Sequence, residues 1–181
     1  MKTARIMVTT KCDRGCSYCC NTPENPAMQS CTTVKRLGDI PDTYDAYVIT
    51  GGEPFRDNCH TAKHSRDVIQ RLNAWRAKPV YLYTSVYNTS IPFHALSGIT
   101  YTLHHPFTDA DRNSFWAMEL YNQMSGVNRP NMRLIINADI PAHLVPLVNM
   151  TAWDTAKYIR FDPDGMCPLG EGEDLYLLEG E

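Results

Sequence analysis

No apolar run in this sequence approaches the roughly 18 residues that a membrane-spanning helix needs. The first eight residues, Met1-Lys2-Thr3-Ala4-Arg5-Ile6-Met7-Val8, lack the apolar stretch and small-residue cleavage site of a secretory signal. No membrane association is expected, and a reducing cytoplasm is the expected location. Internal repeats and low-complexity segments are missing as well. So is a paired cysteine framework: there are seven cysteines, an odd number, and three of them crowd between positions 12 and 19. That crowding points to thiolate ligands rather than disulfides. Basic residues are absent after position 161. The 162–181 segment holds seven of the 20 acids and no Lys or Arg, which leaves 13 acids against 17 bases in residues 1–161. The formal charge of −3 therefore combines an acidic C-terminal tail with a mildly positive body. Such a body tolerates an anionic substrate but is far from the basic footprint of a dedicated nucleic-acid binder.

What is present is a globular composition, 43% hydrophobic and 20% charged, in a chain long enough to bury a core. One domain over 1–181 is expected, with 162–181 as its tail. Short runs rich in Val, Ile, Tyr and Thr predict strands at 3–8, 46–50, 80–84, 99–103, 132–136 and 157–161. Helical spacing predicts a helix over 60–77 burying Val68, Leu72 and Trp75, and another over 109–125 burying Phe115 and Met118, with Tyr121 and Met124 as further candidates. Pro141 can open a short, irregular helix through Val148.

Strands alternating with helices imply an α/β fold with a mostly parallel sheet and right-handed crossovers. Ligands of such sheets sit beyond the carboxyl ends of the strands, and the chemically interesting residues fall there. Cys12, Cys16 and Cys19 follow the first strand, and Gly51-Gly52-Glu53-Pro54 follow the second. Thr84-Ser85, His104-His105 and Asn137 end the next three. In a strand His104 and His105 point to opposite sides, so at most one is expected to face a site.

The spacing Cys12-x₃-Cys16-x₂-Cys19 lets three thiolates of one loop hold three corners of an iron–sulfur cubane. The competing reading is a structural zinc site with Cys20, Cys31, Cys59 or His60 as fourth ligand. Zinc sites usually bring two separated CxxC pairs and there is no second pair here, so the spacing favours iron and sulfur.

This cysteine spacing, the aromatic Tyr18 before the third cysteine, and the Gly51–Pro54 turn after the next strand together resemble the radical S-adenosylmethionine (SAM) superfamily. The resemblance implies a (β/α)6 partial TIM barrel and a [4Fe-4S] cluster on Cys12, Cys16 and Cys19 whose fourth iron is chelated by SAM. It further implies that Gly51, Gly52, Glu53 and Pro54 meet the SAM amino group. Thr84 and Ser85 occupy the place of a polar SAM contact that often reads Thr-Asn-Gly; Ser85 is equally readable as a strand-end turn residue. Tyr18, His104 and Asn137 complete the expected cofactor-binding set. Asp13 stands where the superfamily often has Asn.

The chain is also similar to compact 7-carboxy-7-deazaguanine synthases and to glycyl-radical-enzyme activases. The substrate implied by the former is a small molecule of the nucleoside, nucleotide or modified-base class; the latter act on a protein partner. A flavodoxin or ferredoxin is the implied electron donor, and a nucleic acid or protein substrate stays open. A zinc- or cluster-binding module without catalysis is the reading from a different class. In the tail, Cys167 is a candidate hydrogen-atom donor to a substrate radical; the alternative is that Leu175 to Leu178 simply pack against the body.

Overall fold

The computed structural model describes residues 1–19, 21–56, 60–126, 129–161 and 169–179. Along the chain run β1 (Thr3–Met7), α1 (Pro26–Gln29), β2 (Thr32–Val34), β3 (Ala46–Thr50), α2 (His60–Arg76), β4 (Val80–Thr84) and β5 (Gly98–Leu103). After them come α3 (Asp109–Met124), β6 (Asn131–Asn137), β7 (Thr155–Ile159) and β8 (Glu173–Leu178). The expected α/β class and parallel sheet are present, but among the described residues the sheet has eight strands rather than six. All pair in parallel, in the order β2-β8-β1-β3-β4-β5-β6-β7, and β2 and β7 are the open edges.

The two additional strands are short or acidic, which hid them from a hydropathy reading. β8 lies inside the acidic tail and is wedged between β1 and β2, with Ile6 opposite Tyr176 and Thr33 opposite Leu177. Its two acids each meet a partner distant in sequence. Arg5 pairs with Glu173 at 2.6 Å, and the buried Tyr44 hydroxyl donates to Asp174 at 2.6 Å while bonding Tyr176 at 2.7 Å.

Both main helices form where expected, with altered faces. α2 buries Ala62, Ser65, Val68, Ile69 and Leu72, but Trp75 is 70% exposed. The position four residues after Leu72 belongs to Arg76, which donates to the Ile40 carbonyl at 2.9 Å, pairs with Asp42 at 2.9 Å and lies over the Tyr47 ring. Its aliphatic stem covers apolar surface while its head stays paired. α3 opens with Thr108 as N-cap in a capping box with Asp111, and buries Phe115 and Met118. Met124 is 78% exposed, and Glu119 and Asn122 turn inward. Glu119 accepts from the Trp153 indole at 3.2 Å and from the Asn149 N–H at 2.8 Å, anchoring the β6–β7 connection under the helix. The short helix expected from 141 does not form. A single turn closes from Pro141 to Leu144, and Pro146 denies the next turn a donor and disfavours helical geometry at Val145.

From β1 to β7 the order β1-β3-β4-β5-β6-β7 advances in one direction. Same-handed crossovers in such a sheet carry the helices to one face. Ile6, Ile49, Leu82, Tyr101 and Leu134 from successive strands share one core with Ile69 and Leu72 of α2 and with Phe115 and Met118 of α3. The alternate strand residues form the other face, and the candidate site opens on it.

Candidate functional site

The 8–19 loop that leaves β1 is stitched to the turn that leaves β3. Val8 N–H donates to the Thr50 carbonyl (3.1 Å), Gly52 N–H to Thr9 (2.7 Å) and Glu53 N–H to Lys11 (3.0 Å). This close approach is what requires the two glycines. A Cβ at Gly51 would lie 2.3 Å from the Thr9 oxygen, and Gly51 has φ +137°; a Cβ at Gly52 would lie 2.1 Å from the Lys11 oxygen. The backbone that they admit so closely is the root of the cysteine loop. Pro54 is buried, and its carbonyl accepts from Ser65 of α2 at 2.6 Å, which fixes the far side of the turn.

Glu53 is 3% exposed, and its carboxylate is saturated by protein donors. One oxygen accepts from the Thr84 hydroxyl (2.5 Å) and the Phe55 N–H (3.3 Å). The other accepts from the Ser85 N–H (2.8 Å) and the Ser85 hydroxyl (2.7 Å). Burial pushes the Glu53 carboxyl above its ordinary range, against the pull of the Ser85 and Thr84 hydrogen bonds. Ser85 also accepts from Arg14 Nε at 2.8 Å, and the Arg14 guanidinium forms an ion pair with Asp111. Burial alone would raise the Asp111 carboxyl, but the Arg14 and Thr108 hydrogen bonds hold it below its ordinary value. One buried polar chain thus ties the cysteine loop to β4, the β3 turn and the start of α3.

On the opposite wall the Tyr18 ring stacks on Phe161, with centroids 4.4 Å apart and planes 10° from parallel. Its hydroxyl meets His104 Nδ1 at 2.8 Å and accepts from Asn137 Nδ2 at 3.2 Å. Burial pushes the Tyr18 hydroxyl up and lowers His104 to about 4, so the imidazole is neutral at ordinary pH. His105 is exposed, in keeping with opposite orientations of the two histidines.

Between these walls lies a cavity of about 190 Å³. Cys12, Cys16 and Cys19 line it together with Arg14 and Tyr18 of the same loop. Gly51, Gly52, Glu53, Thr84 and Ser85 come from the turns after β3 and β4, and His104 from the end of β5. Asn137, 1% exposed, stands behind Tyr18, and Pro54 behind Glu53; both position lining residues without lining the cavity themselves. Cys167 lies outside the described residues. The spacing of the motifs did not reveal Arg14, Asp111, Tyr83, Thr100, Thr102 or Phe161. The parity of Thr100 and Thr102 in β5 was a usable signal, whereas Asp111 reads in sequence only as a capping residue.

Gly15, at φ +59°, turns the backbone between Cys12 and Cys16, and the Cys19 N–H donates to the Cys16 carbonyl at 3.1 Å. Burial pushes the Cys16 thiol up. Among the described residues no group of three or more His, Cys, Asp or Glu converges tightly enough to hold a metal ion. Cys12, Cys16 and Cys19 line one cavity wall, and Cys20 and Cys59, two candidate fourth ligands of a zinc site, lie outside the described residues. Comparison with protein-family models, curated proteins and solved structures finds no match to this chain.

Proposed function

We propose that this chain is a radical SAM enzyme acting on a small substrate of the nucleoside, nucleotide or modified-base class. The observation that carries the reading is that Cys12, Cys16 and Cys19 line one cavity with Gly51, Gly52 and Glu53, although the two motifs are separated in sequence by more than a strand. They meet beyond the carboxyl ends of β1 and β3, where a parallel sheet binds its ligands. The unidirectional order of β1, β3, β4, β5, β6 and β7, with helices on one face, supports a (β/α)6 partial barrel to which β8 and β2 are added beside β1.

In this reading Cys12, Cys16 and Cys19 hold a [4Fe-4S] cluster. When bound and reduced, with a flavodoxin or ferredoxin as the electron donor, such a cluster would supply the one electron that splits SAM into methionine and a 5′-deoxyadenosyl radical. The chain's own residues do the holding and shielding. Gly51 and Gly52 keep the cysteine loop against the β3 turn, and Glu53 fixes Thr84 and Ser85. Tyr18, Phe161 and neutral His104 form an aromatic wall that excludes water from reactive species.

Anaerobic reconstitution with iron and sulfide, followed by metal analysis and incubation with dithionite and SAM, tests the proposal. The expected protein is brown, absorbs near roughly 400 nm and releases 5′-deoxyadenosine. Single alanine variants at Cys12, Cys16 and Cys19 lose iron, whereas Cys20→Ala retains it. A colourless, zinc-loaded protein, or loss of the cluster in Cys20→Ala alone, overturns the assignment.

A further inference from the structure

Both faces of an all-parallel sheet are ordinarily covered by crossover helices, and its strands read as near-continuous apolar runs. This sheet departs from that pattern. In β4, Val80 and Leu82 are buried while Tyr81 and Tyr83 are only half-buried; in β6, Met132 and Leu134 are buried while Asn131 and Arg133 are exposed. The alternation marks a face prepared for water or a ligand. It is the face on which Tyr83, Thr100, Thr102 and Ile135 wall the cavity. The cavity itself is smaller than the roughly 300–1,000 Å³ of ordinary small-molecule sites, and its wall continues down this face.

Two cations stand on that continuation. Lys157 of β7 lies directly opposite the wall residue Ile135 of β6, and Arg133 lies two residues before Ile135, opposite Thr155. With strands about 4.8 Å apart and about 3.3 Å of rise per residue, their Cα atoms are roughly 8 Å apart, so both heads can meet on one group. Both residues are exposed, and neither has a carboxylate partner among the described residues. Arg133 Nε donates to the Asn131 side-chain oxygen at 3.4 Å. The contrast is Arg5 on the same face, which is committed to Glu173 and lies 5.6 Å from the Tyr83 ring centroid. An ordinary solvated surface pairs such charges or scatters them; here two are set side by side beneath a cavity.

We propose that Arg133 and Lys157 form an oxyanion subsite. It binds a carboxylate or phosphate group of a substrate whose other end extends past Ile135 into the cavity. Phe161 lies four residues after Lys157 and two past the end of β7, up to roughly 13 Å of chain, so the ligand is about the length of a heterocycle bearing an anionic tail. An arginine fork beside a lysine point charge suits either oxyanion. The inference rests on the enzymatic reading only in calling this ligand the substrate.

Calorimetric titration of the full, iron-reconstituted chain at low ionic strength tests the subsite. Adenosine 5′-monophosphate and benzoate serve as phosphate and carboxylate probes, with adenosine and benzamide as uncharged controls. At least one anion is expected to bind about tenfold more tightly than its control, and the arm that does so names the group. Arg133→Gln and Lys157→Gln each weaken it about tenfold, Arg133→Lys stays within about threefold, and Lys35→Gln, an equal charge change at an exposed position elsewhere, changes nothing. Unaltered melting temperatures accompany the weakened binding. No preference for either anion, or equal affinity in the Gln variants, overturns the subsite. Iron analysis of the same samples separates the two ideas. Anion binding through this pair in a chain that takes up no cluster refutes the enzymatic reading alone, and an iron-loaded chain without anion preference refutes the subsite alone.

Discussion

Replacing Glu53 probes the network on which the candidate site is built. The residue is 3% exposed and accepts four protein hydrogen bonds, three of them at 2.5–2.8 Å. In Glu53→Ala the Thr84 hydroxyl can turn to the Val86 carbonyl, already 3.3 Å away. The Ser85 N–H is fixed in the backbone and cannot turn, and Arg14 loses a nearby negative charge. Removing one member of such a buried charged network costs about 3–5 kcal/mol. At roughly 2–4 °C per kcal/mol for a domain of this size, the melting temperature falls by roughly 6–20 °C. Glu53→Gln keeps a carbonyl oxygen for both Ser85 donors. Its amide NH₂ faces Thr84, which can accept, and the Phe55 N–H, which cannot. The expected cost is about 1–2 kcal/mol. Because the carboxylate is saturated by protein donors, the proposed SAM site would depend on Glu53 mainly through the placement of Thr84 and Ser85, and on that proposal about tenfold in SAM affinity is lost in the Gln variant. Scanning calorimetry of the three proteins, with anaerobic SAM titration of wild type and Glu53→Gln, gives both quantities. An alanine variant melting within about 2 °C of wild type would refute the reasoning, because it would leave the buried bonds with no net worth.

Gly52→Ala is expected to prise the cysteine loop from the β3 turn, since the new Cβ would start 2.1 Å from the Lys11 oxygen. Two backbone hydrogen bonds worth about 1 kcal/mol each are at risk, and iron uptake after reconstitution should drop with them; wild-type iron content would argue against the stitching. Asp111 offers a pH test. Its folded-state pKa lies below the ordinary 3.8, so the unfolded chain takes up the proton first as pH falls. The stability it contributes is therefore complete well above 3.8 and is lost on acidification through the folded value. Asp111→Asn should be less stable than wild type near neutral pH, with a smaller gap at an acidic pH below the ordinary 3.8. Urea midpoints that stay equally separated at both pH values would contradict the Arg14–Asp111 assignment.

The motif-bearing ends of the strands were legible in sequence because strand-forming runs and their punctuation are local. β3 and β4 have the bounds that the Val, Ile and Tyr runs predict, and β1, β5 and β6 differ by only a residue or so. The meeting of Cys12, Cys16 and Cys19 with Gly51 and Gly52 follows from parallel order, which brings the carboxyl ends of adjacent strands to one edge. Tertiary structure decided the rest. β8 takes its place beside β1 with Arg5, far away in the chain, pairing with Glu173 and the equally distant Tyr44 hydroxyl donating to Asp174. Trp75 is outside and Arg76 inside because Asp42 and the Ile40 carbonyl, about 35 residues upstream, receive the guanidinium. Arg14 and Asp111 are unremarkable as a loop cation and a helix cap until folding closes a separation of 97 residues between them. Composition cannot distinguish these charges from solvated ones, because a charge is tolerated inside a fold only once its partner has arrived, and the partner's arrival is a property of the whole chain.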